Sequence, residues 1–178
     1  GITTVTGGNG NDTIDGSLSE LDLNLAGGEG NDQLFSGTGN DTLVGGTGDD
    51  TLIFNSRNID ANDLVQGGTD GSDILAFATG GSINTGLGGG LEGVSEVETI
   101  RFSEDGNYLV LDEDDADSEL LKIIGGVGND YVSASERNEG LIFEMGSGDD
   151  TVDGTKGDDI FRFAIGELTS GDSIGASQ

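Results

Sequence analysis

The sequence predicts an all-β fold of stacked short repeats, and three observations carry that prediction. A nine-residue frame recurs as GGNGNDTID from Gly7, GGEGNDQLF from Gly27, SGTGNDTLV from Ser36, GGTGDDTLI from Gly45, GGVGNDYVS from Gly125, MGSGDDTVD from Met145 and GTKGDDIFR from Gly154. A ten-residue variant, GGTDGSDILA, starts at Gly67. In the seven regular copies the sixth residue is Asp (Asp12, Asp32, Asp41, Asp50, Asp130, Asp150, Asp159), and the variant, one residue longer, has Asp73 as its seventh. The eighth is apolar: Ile14, Leu34, Leu43, Leu52, Val132, Val152 and Phe161. Glycines fill the front of each copy, where they permit positive φ and close backbone approach in a tight turn. The last three residues, such as Thr42-Leu43-Val44, then form a short strand whose central side chain faces a shared core.

Composition alone argues for disorder. The 178 residues include 35 Gly and 35 Asp+Glu against 6 Lys+Arg, a net charge of −29, so little apolar area offsets chain entropy. A random acidic tract, however, would not keep two residue classes in register through seven copies. The chain has no Cys, which excludes disulfides and thiolate metal sites, and no His, the commonest metal ligand and general base. What remains is oxygen chemistry. So many carboxylates repel nucleic acid and anionic membranes and attract hard cations. No stretch is apolar enough for membrane insertion and no signal peptide is evident. The start at Gly1, without Met, is that expected of a fragment of a longer protein.

The GGxGxDxUx pattern of these copies resembles the RTX, or hemolysin-type, calcium-binding repeat. The resemblance implies a right-handed parallel β-roll, a β-solenoid in which successive nonapeptides make alternate half-turns. Loops 18 residues apart then stack on one edge, with several Ca²⁺ ions held between stacked loops. Asp32 and Asp50 are expected to share an ion on one edge, with Asp41 on the other. Asp12 stacks on Asp32 if GSLSELDLNLA serves as a longer half-turn, with Leu21, Leu23 and Leu25 alternating as in a strand; Asp130 and Asp150 repeat that 20-residue spacing. The expected metal ligands are thus the side chains of Asp12, Asp32, Asp41, Asp50, Asp73, Asp130, Asp150 and Asp159. Loop groups, mainly carbonyls, complete the shells: Gly7, Asn9, Asn11, Gly27, Glu29, Asn31, Thr38, Asn40, Gly45, Thr47, Asp49, Gly125, Val127, Asn129, Ser147, Asp149, Lys156 and Asp158. Asp63 and Asp172, in longer loops ending NDLV and GDSI, are either ligands or turn residues.

A longer period underlies the short one. Shifted by 118 residues, GITTVTGGNGNDTI falls on ELLKIIGGVGNDYV. The second copy then lacks one nonapeptide, and at a shift of 109 Leu52, Phe54 and Asp63 fall on Phe161, Phe163 and Asp172, with Leu52, Phe54, Phe161 and Phe163 expected to face inward by alternation. Residues 1–75 read as a first block, 76–118 as a segment poor in the glycine signature that continues the solenoid, and 119–178 as a second block opening another module. Strands are expected near Glu96–Phe102, Tyr108–Leu111 and Leu121–Ile124. The run DEDDADSE, Asp112 to Glu119, lacks an EF-hand's glycine and flanking helices, and reads as an acidic turn or an extra calcium site.

Without His or Cys no Ser-His-Asp or Cys-His arrangement exists, and GTKGDDI lacks the spacing of a phosphate loop, so the segment is read as no enzyme. Calcium ions are the expected partners, together with neighbouring modules or copies of the same protein; nucleic acid is not. Three parents fit. The first is a large bacterial surface protein of adhesin or S-layer type, exported by a type I route, which the long repeat favours. The second is a secreted toxin or hydrolase carrying this segment as its C-terminal secretion and folding module. The third, an ice-binding roll, is weakened because the Thr ladder of Thr38 and Thr47 is broken by Asn9, Glu29, Val127, Ser147 and Lys156. All three place the segment outside the cell.

Overall fold

The structure, a computed structural model, describes residues 1, 3–83, 91–113 and 119–175. Among them are eighteen strands and no helix. In chain order the strands are β1 (Thr4–Asn9), β2 (Thr13–Asp15), β3 (Asn24–Glu29), β4 (Gln33–Phe35), β5 (Thr42–Thr47) and β6 (Thr51–Phe54). Next come β7 (Leu64–Asp70), β8 (Ile74–Phe77), β9 (Gly81–Ile83), β10 (Val94–Ser95), β11 (Thr99–Arg101) and β12 (Asn107–Val110). The last six are β13 (Lys122–Ile124), β14 (Tyr131–Ser133), β15 (Ile142–Glu144), β16 (Thr151–Asp153), β17 (Ile160–Phe161) and β18 (Ser173–Gly175). Strands appear where expected in the middle segment as β11, β12 and β13. Residues 84–90 and Asp114–Ser118 of the acidic run lie outside the described residues.

The strands form three sheets, all paired in parallel: sheet I, β1-β3-β5-β7-β10; sheet II, β2-β4-β6-β8-β11-β13-β15-β17; and sheet III, β9-β12-β14-β16-β18. The chain winds alternately between sheets I and II, then between II and III. This is a parallel β-solenoid of about seven turns. The change of partner sheet occurs in one three-strand turn, where β8, β9 and β10 are consecutive in the chain but belong to sheets II, III and I.

Parallel stacking puts identical frame positions on top of one another. In sheet II the register aligns Ile14, Leu34, Leu52 and Leu75, and continues through Ile100, Ile123, Phe143 and Phe161. Leu25, Leu43 and Val65 make the facing column in sheet I, and Ile83, Leu109, Val132 and Val152 the one in sheet III. All of these are buried except Phe161, which packs partly against the core. Each buried Leu or Val removes enough apolar surface to contribute about 1.5–3 kcal/mol. Leu43→Ala is therefore expected to lower unfolding stability by about 2–5 kcal/mol. Leu64→Ala, on the outward face at 42% exposure, should cost less than about 1 kcal/mol in the same denaturant titration.

Two inward placements are corrected. Leu21 is 46% exposed, because the turn runs on through Asp22 and strand alternation starts only at Leu23. Phe163, 36% exposed, lies past β17, the terminal strand of sheet II, where no further described strand covers it.

The 118-residue repeat acquires a geometric consequence. The loop at 7–12 carries the chain from sheet I into sheet II, whereas its counterpart at 125–130 carries it out of sheet II into sheet III. The repeated sequence is thus displaced by half a turn. The missing nonapeptide, itself half a turn, restores the phase: Asp50 and Asp159 both precede a sheet II strand, and Asp63 and Asp172 both follow one.

Candidate metal centre

Loops line two edges of the solenoid, one inbound to sheet II and one outbound from it. On the inbound edge the backbone N–H of Asp12 donates to Asp32 Oδ1 (2.7 Å), that of Asp32 to Asp50 Oδ1 (2.7 Å), and that of Asp50 to Asp73 Oδ1 (2.8 Å). The outbound edge carries the same device. Asp41 N–H donates to Asp63 Oδ1 (2.7 Å), Asp130 N–H to Asp150 Oδ1 (2.9 Å), and Asp150 N–H to Asp172 Oδ1 (2.8 Å). Asp159, inbound, accepts from Leu141 N–H at 3.0 Å. The 18- and 20-residue spacings therefore bring together the aspartates that the sequence pairs, Asp12 with Asp32, Asp32 with Asp50, and Asp130 with Asp150, and put Asp41 on the opposite edge.

Sequence reasoning overlooked Glu98. Its Oε2 accepts Asp73 N–H at 2.6 Å, extending the inbound column by one turn. Gly93 to Arg101 is a disguised copy of the frame, with Glu98 sixth and the fully buried Ile100 eighth. Glu96 occupies the position where other copies have glycine and is the one non-glycine with positive φ (56°) among the described residues. The acidic-then-apolar spacing was the available signal.

Fifth-position side chains build a second ladder facing solvent. Asn11 Oδ1 accepts Asn31 N–H (2.9 Å), Asn31 Oδ1 accepts Asp49 N–H (3.2 Å), Asp49 Oδ1 accepts Ser72 N–H (2.9 Å) and Asn129 Oδ1 accepts Asp149 N–H (2.9 Å). Asn40 N–H donates to Asp22 Oδ1 (2.9 Å), and the Asp158 carbonyl packs on Gly140. At the third position the carbonyls of Glu29 and Thr47 accept Gly10 and Gly30 N–H (2.7 and 2.8 Å), leaving each a free lone pair. Thr38 and Ser147 N–H donate to the carbonyls of Ser19 and Gly126 in the turn beneath, while Val127 is exposed and Lys156 Nζ donates to Glu136 O at 2.8 Å. The first-position glycines Gly7, Gly27, Gly45 and Gly125 lie directly against the carboxylates of their own loops, where a Cβ would overlap the Asp.

These residues fit a hard cation on one decisive point. Asp32 and Asp50 are buried to 1% exposure, yet the Oδ2 of each, and of Asp12, has no hydrogen-bond partner. A bare buried carboxylate oxygen is costly unless a cation or donor meets it. Among the described residues no three acidic side chains converge on one point, so an ion there would draw most of its about six to eight oxygens from loop carbonyls.

Burial raises the pKa of Asp41, Asp50, Asp63, Asp130 and Asp150, and pushes Asp73 up to about 6, with Asp50 and Glu98 adding repulsion. Asp172 is instead held low, chiefly by the N–H of Asp150. A raised folded-state value means that the folded chain binds more protons than the unfolded one, so this stability is present in acid and lost as pH rises. The calcium-free protein should therefore melt at a higher temperature near pH 4 than near pH 7, with the loss falling between the ordinary value of 3.8 and about 6. Thermal unfolding in chelator across that range checks it.

Glycine-rich acidic loops stacked on the edges of parallel sheets define a solenoid with columns of cation-seeking oxygen. The family model of the RTX calcium-binding nonapeptide repeat matches in four copies, over residues 1–18, 24–55 and 146–166, so the chain carries RTX repeats in both its first and its second block. The loops at 67–73 and 125–130 lie outside those stretches yet join the same columns. No curated protein and no solved structure matches the chain.

Proposed function

We propose that this segment is a calcium-binding structural repeat region of a large secreted bacterial surface protein, of adhesin or S-layer type, that folds when it meets extracellular Ca²⁺. RTX repeats bind calcium and are typical of secreted bacterial proteins. The observation that carries the reading here is the unpartnered Oδ2 of Asp32 and Asp50, buried between stacked loops. Asp12, Asp32, Asp50 and Asp73 supply the carboxylates of the inbound edge, and loop carbonyls such as those of Glu29 and Thr47, each accepting one N–H in the turn stack, would supply further oxygens. Bound calcium would supply positive charge between turns; the chain's own residues position the oxygens, space the turns and bury the leucine columns. The role is structural rather than catalytic. No helix among the described residues is long and apolar enough to cross a membrane.

Isothermal titration of the chelator-treated chain is expected to show several Ca²⁺ ions bound, at affinities of about 10⁻⁴–10⁻³ M as in other extracellular modules. Mg²⁺, which demands a tight octahedron and sheds water reluctantly, should compete poorly at equal concentration. Absence of calcium binding would defeat the proposal.

A further inference from the structure

The nine-residue frame makes Asp41 the equal of Asp32 and Asp50, but the folded loops are of two kinds. In the inbound loops of the first block the second and fourth residues are glycines at positive φ: Gly8 and Gly10 (108° and 110°), Gly28 and Gly30 (119° and 118°), Gly46 and Gly48 (123° and 114°). Loops bent this way leave Oδ2 of Asp12, Asp32 and Asp50 buried and without a donor. The outbound loops of the same block close on themselves. Asp41 Oδ2 accepts the N–H of Gly37 in its own loop at 2.8 Å, and Asp63 Oδ2 accepts that of Asp60 at 2.8 Å. Gly37 and Gly39 are not among the glycines at positive φ. Asp159, in the second block, is closed in the same manner by Thr155 N–H at 2.9 Å.

We propose that calcium loads the inbound edge of the first block, between the loops at 7–12, 27–32 and 45–50, and that Asp41 and Asp63 on the outbound edge are closures that hold their loops shut without an ion. The inference rests on the reading that the chain binds calcium, and it divides the aspartates that this reading treats alike. A buried carboxylate oxygen keeps its solvation only through a donor or a cation. Asp41 Oδ2 already has its donor, so an ion there must first displace the Gly37 amide and reopen the loop. At Asp32 and Asp50 nothing has to be broken. The cause is the company each loop keeps: Asp32 is stacked between two regular copies, whereas Asp41 lies between the longer, irregular turns at 16–22 and 55–63.

The test compares four conservative variants of the whole chain, with bound Ca²⁺ counted by equilibrium dialysis at saturation and unfolding temperature measured in the same buffer. Asp50→Asn and Asp32→Asn retain an acceptor for the N–H of the preceding turn but lose the bare anionic oxygen. Each is expected to bind at least one ion fewer, or to bind it at least ten-fold more weakly. Asp41→Asn and Asp63→Asn are expected to keep the full ion count and to lose only unfolding temperature. If Asp41→Asn does not fold, Asp63→Asn carries the outbound arm. Loss of an ion from either outbound variant, or an unchanged count and an unchanged affinity in both inbound variants across the dialysis series, overturns the asymmetry. An unaltered chain that binds no calcium would instead defeat the underlying function.

Discussion

Stripped of calcium with EDTA at neutral pH, the chain is expected to lose most of its β-sheet circular dichroism and to regain it on titration with Ca²⁺. The inbound column places Asp12, Asp32, Asp50, Asp73 and Glu98 on successive turns. Parallel strands lie about 4.8 Å apart. Two like charges at that distance repel by about 3 kcal/mol at the effective dielectric of a protein surface, before screening. Several such pairs on each edge rival the whole stability of an ordinary domain, about 5–15 kcal/mol. Opposing them are the leucine columns and the backbone ladders of strands often only three residues long. A divalent ion between turns reverses the sign of the electrostatic contribution and makes binding energy available for folding. At sub-micromolar Ca²⁺ the chain is then expected to remain unfolded. A complete β signal in EDTA at pH 7 would show that the solenoid stands without its ions. Mg²⁺ at millimolar concentration should restore little of the signal, and small-angle scattering of the same samples should show an expanded coil in Mg²⁺ and a compact rod in Ca²⁺.

The sequence made the stacking legible because parallel register copies one frame position onto the next. Leu34 and Leu52, 18 residues apart, are adjacent in sheet II, and Asp32 and Asp50 follow them on the edge. A period is a statement about position, and position is what a solenoid conserves from turn to turn. What remained hidden depends on neighbours. Glu98 sits in the aspartate column through its place in the turn although its loop has lost the glycine signature, and only the strand that follows reveals it. The half-turn displacement of the second block follows from the three-strand turn at β8, β9 and β10, which no nonapeptide marks. Leu21 looked like the start of a strand because alternation cannot say where a turn ends. Asp41 and Asp50 share the same frame position and differ in whether a loop amide or nothing meets the second carboxylate oxygen.

Replacing Gly46 with Ala is expected to be among the most damaging single changes in the chain, and Gly8→Ala far milder, although the two glycines hold the same frame position. Both have positive φ, 123° and 108°, and forcing an L side chain there costs about 1–3 kcal/mol. At Gly8 that is the only cost, since a Cβ would meet nothing within 4 Å. At Gly46 a Cβ would overlap the carbonyl oxygen and carbon of Gly28 in the turn beneath. Backbone cannot step aside as a side chain can, because Gly28 and Gly46 are paired in the sheet I ladder and Gly68 presses on Gly46 from above. Relief would require the turns to part, which lengthens the Asp32–Asp50 hydrogen bond and spreads the loop oxygens on both sides of it. Crowding of this kind adds about 1–3 kcal/mol to the conformational cost. Urea unfolding at saturating Ca²⁺ should therefore show Gly46→Ala losing about twice the stability that Gly8→Ala loses, together with a weaker calcium midpoint in Gly46→Ala alone. Equal losses in the two variants would mean that the close stacking of the glycine column does not set the spacing of the turns.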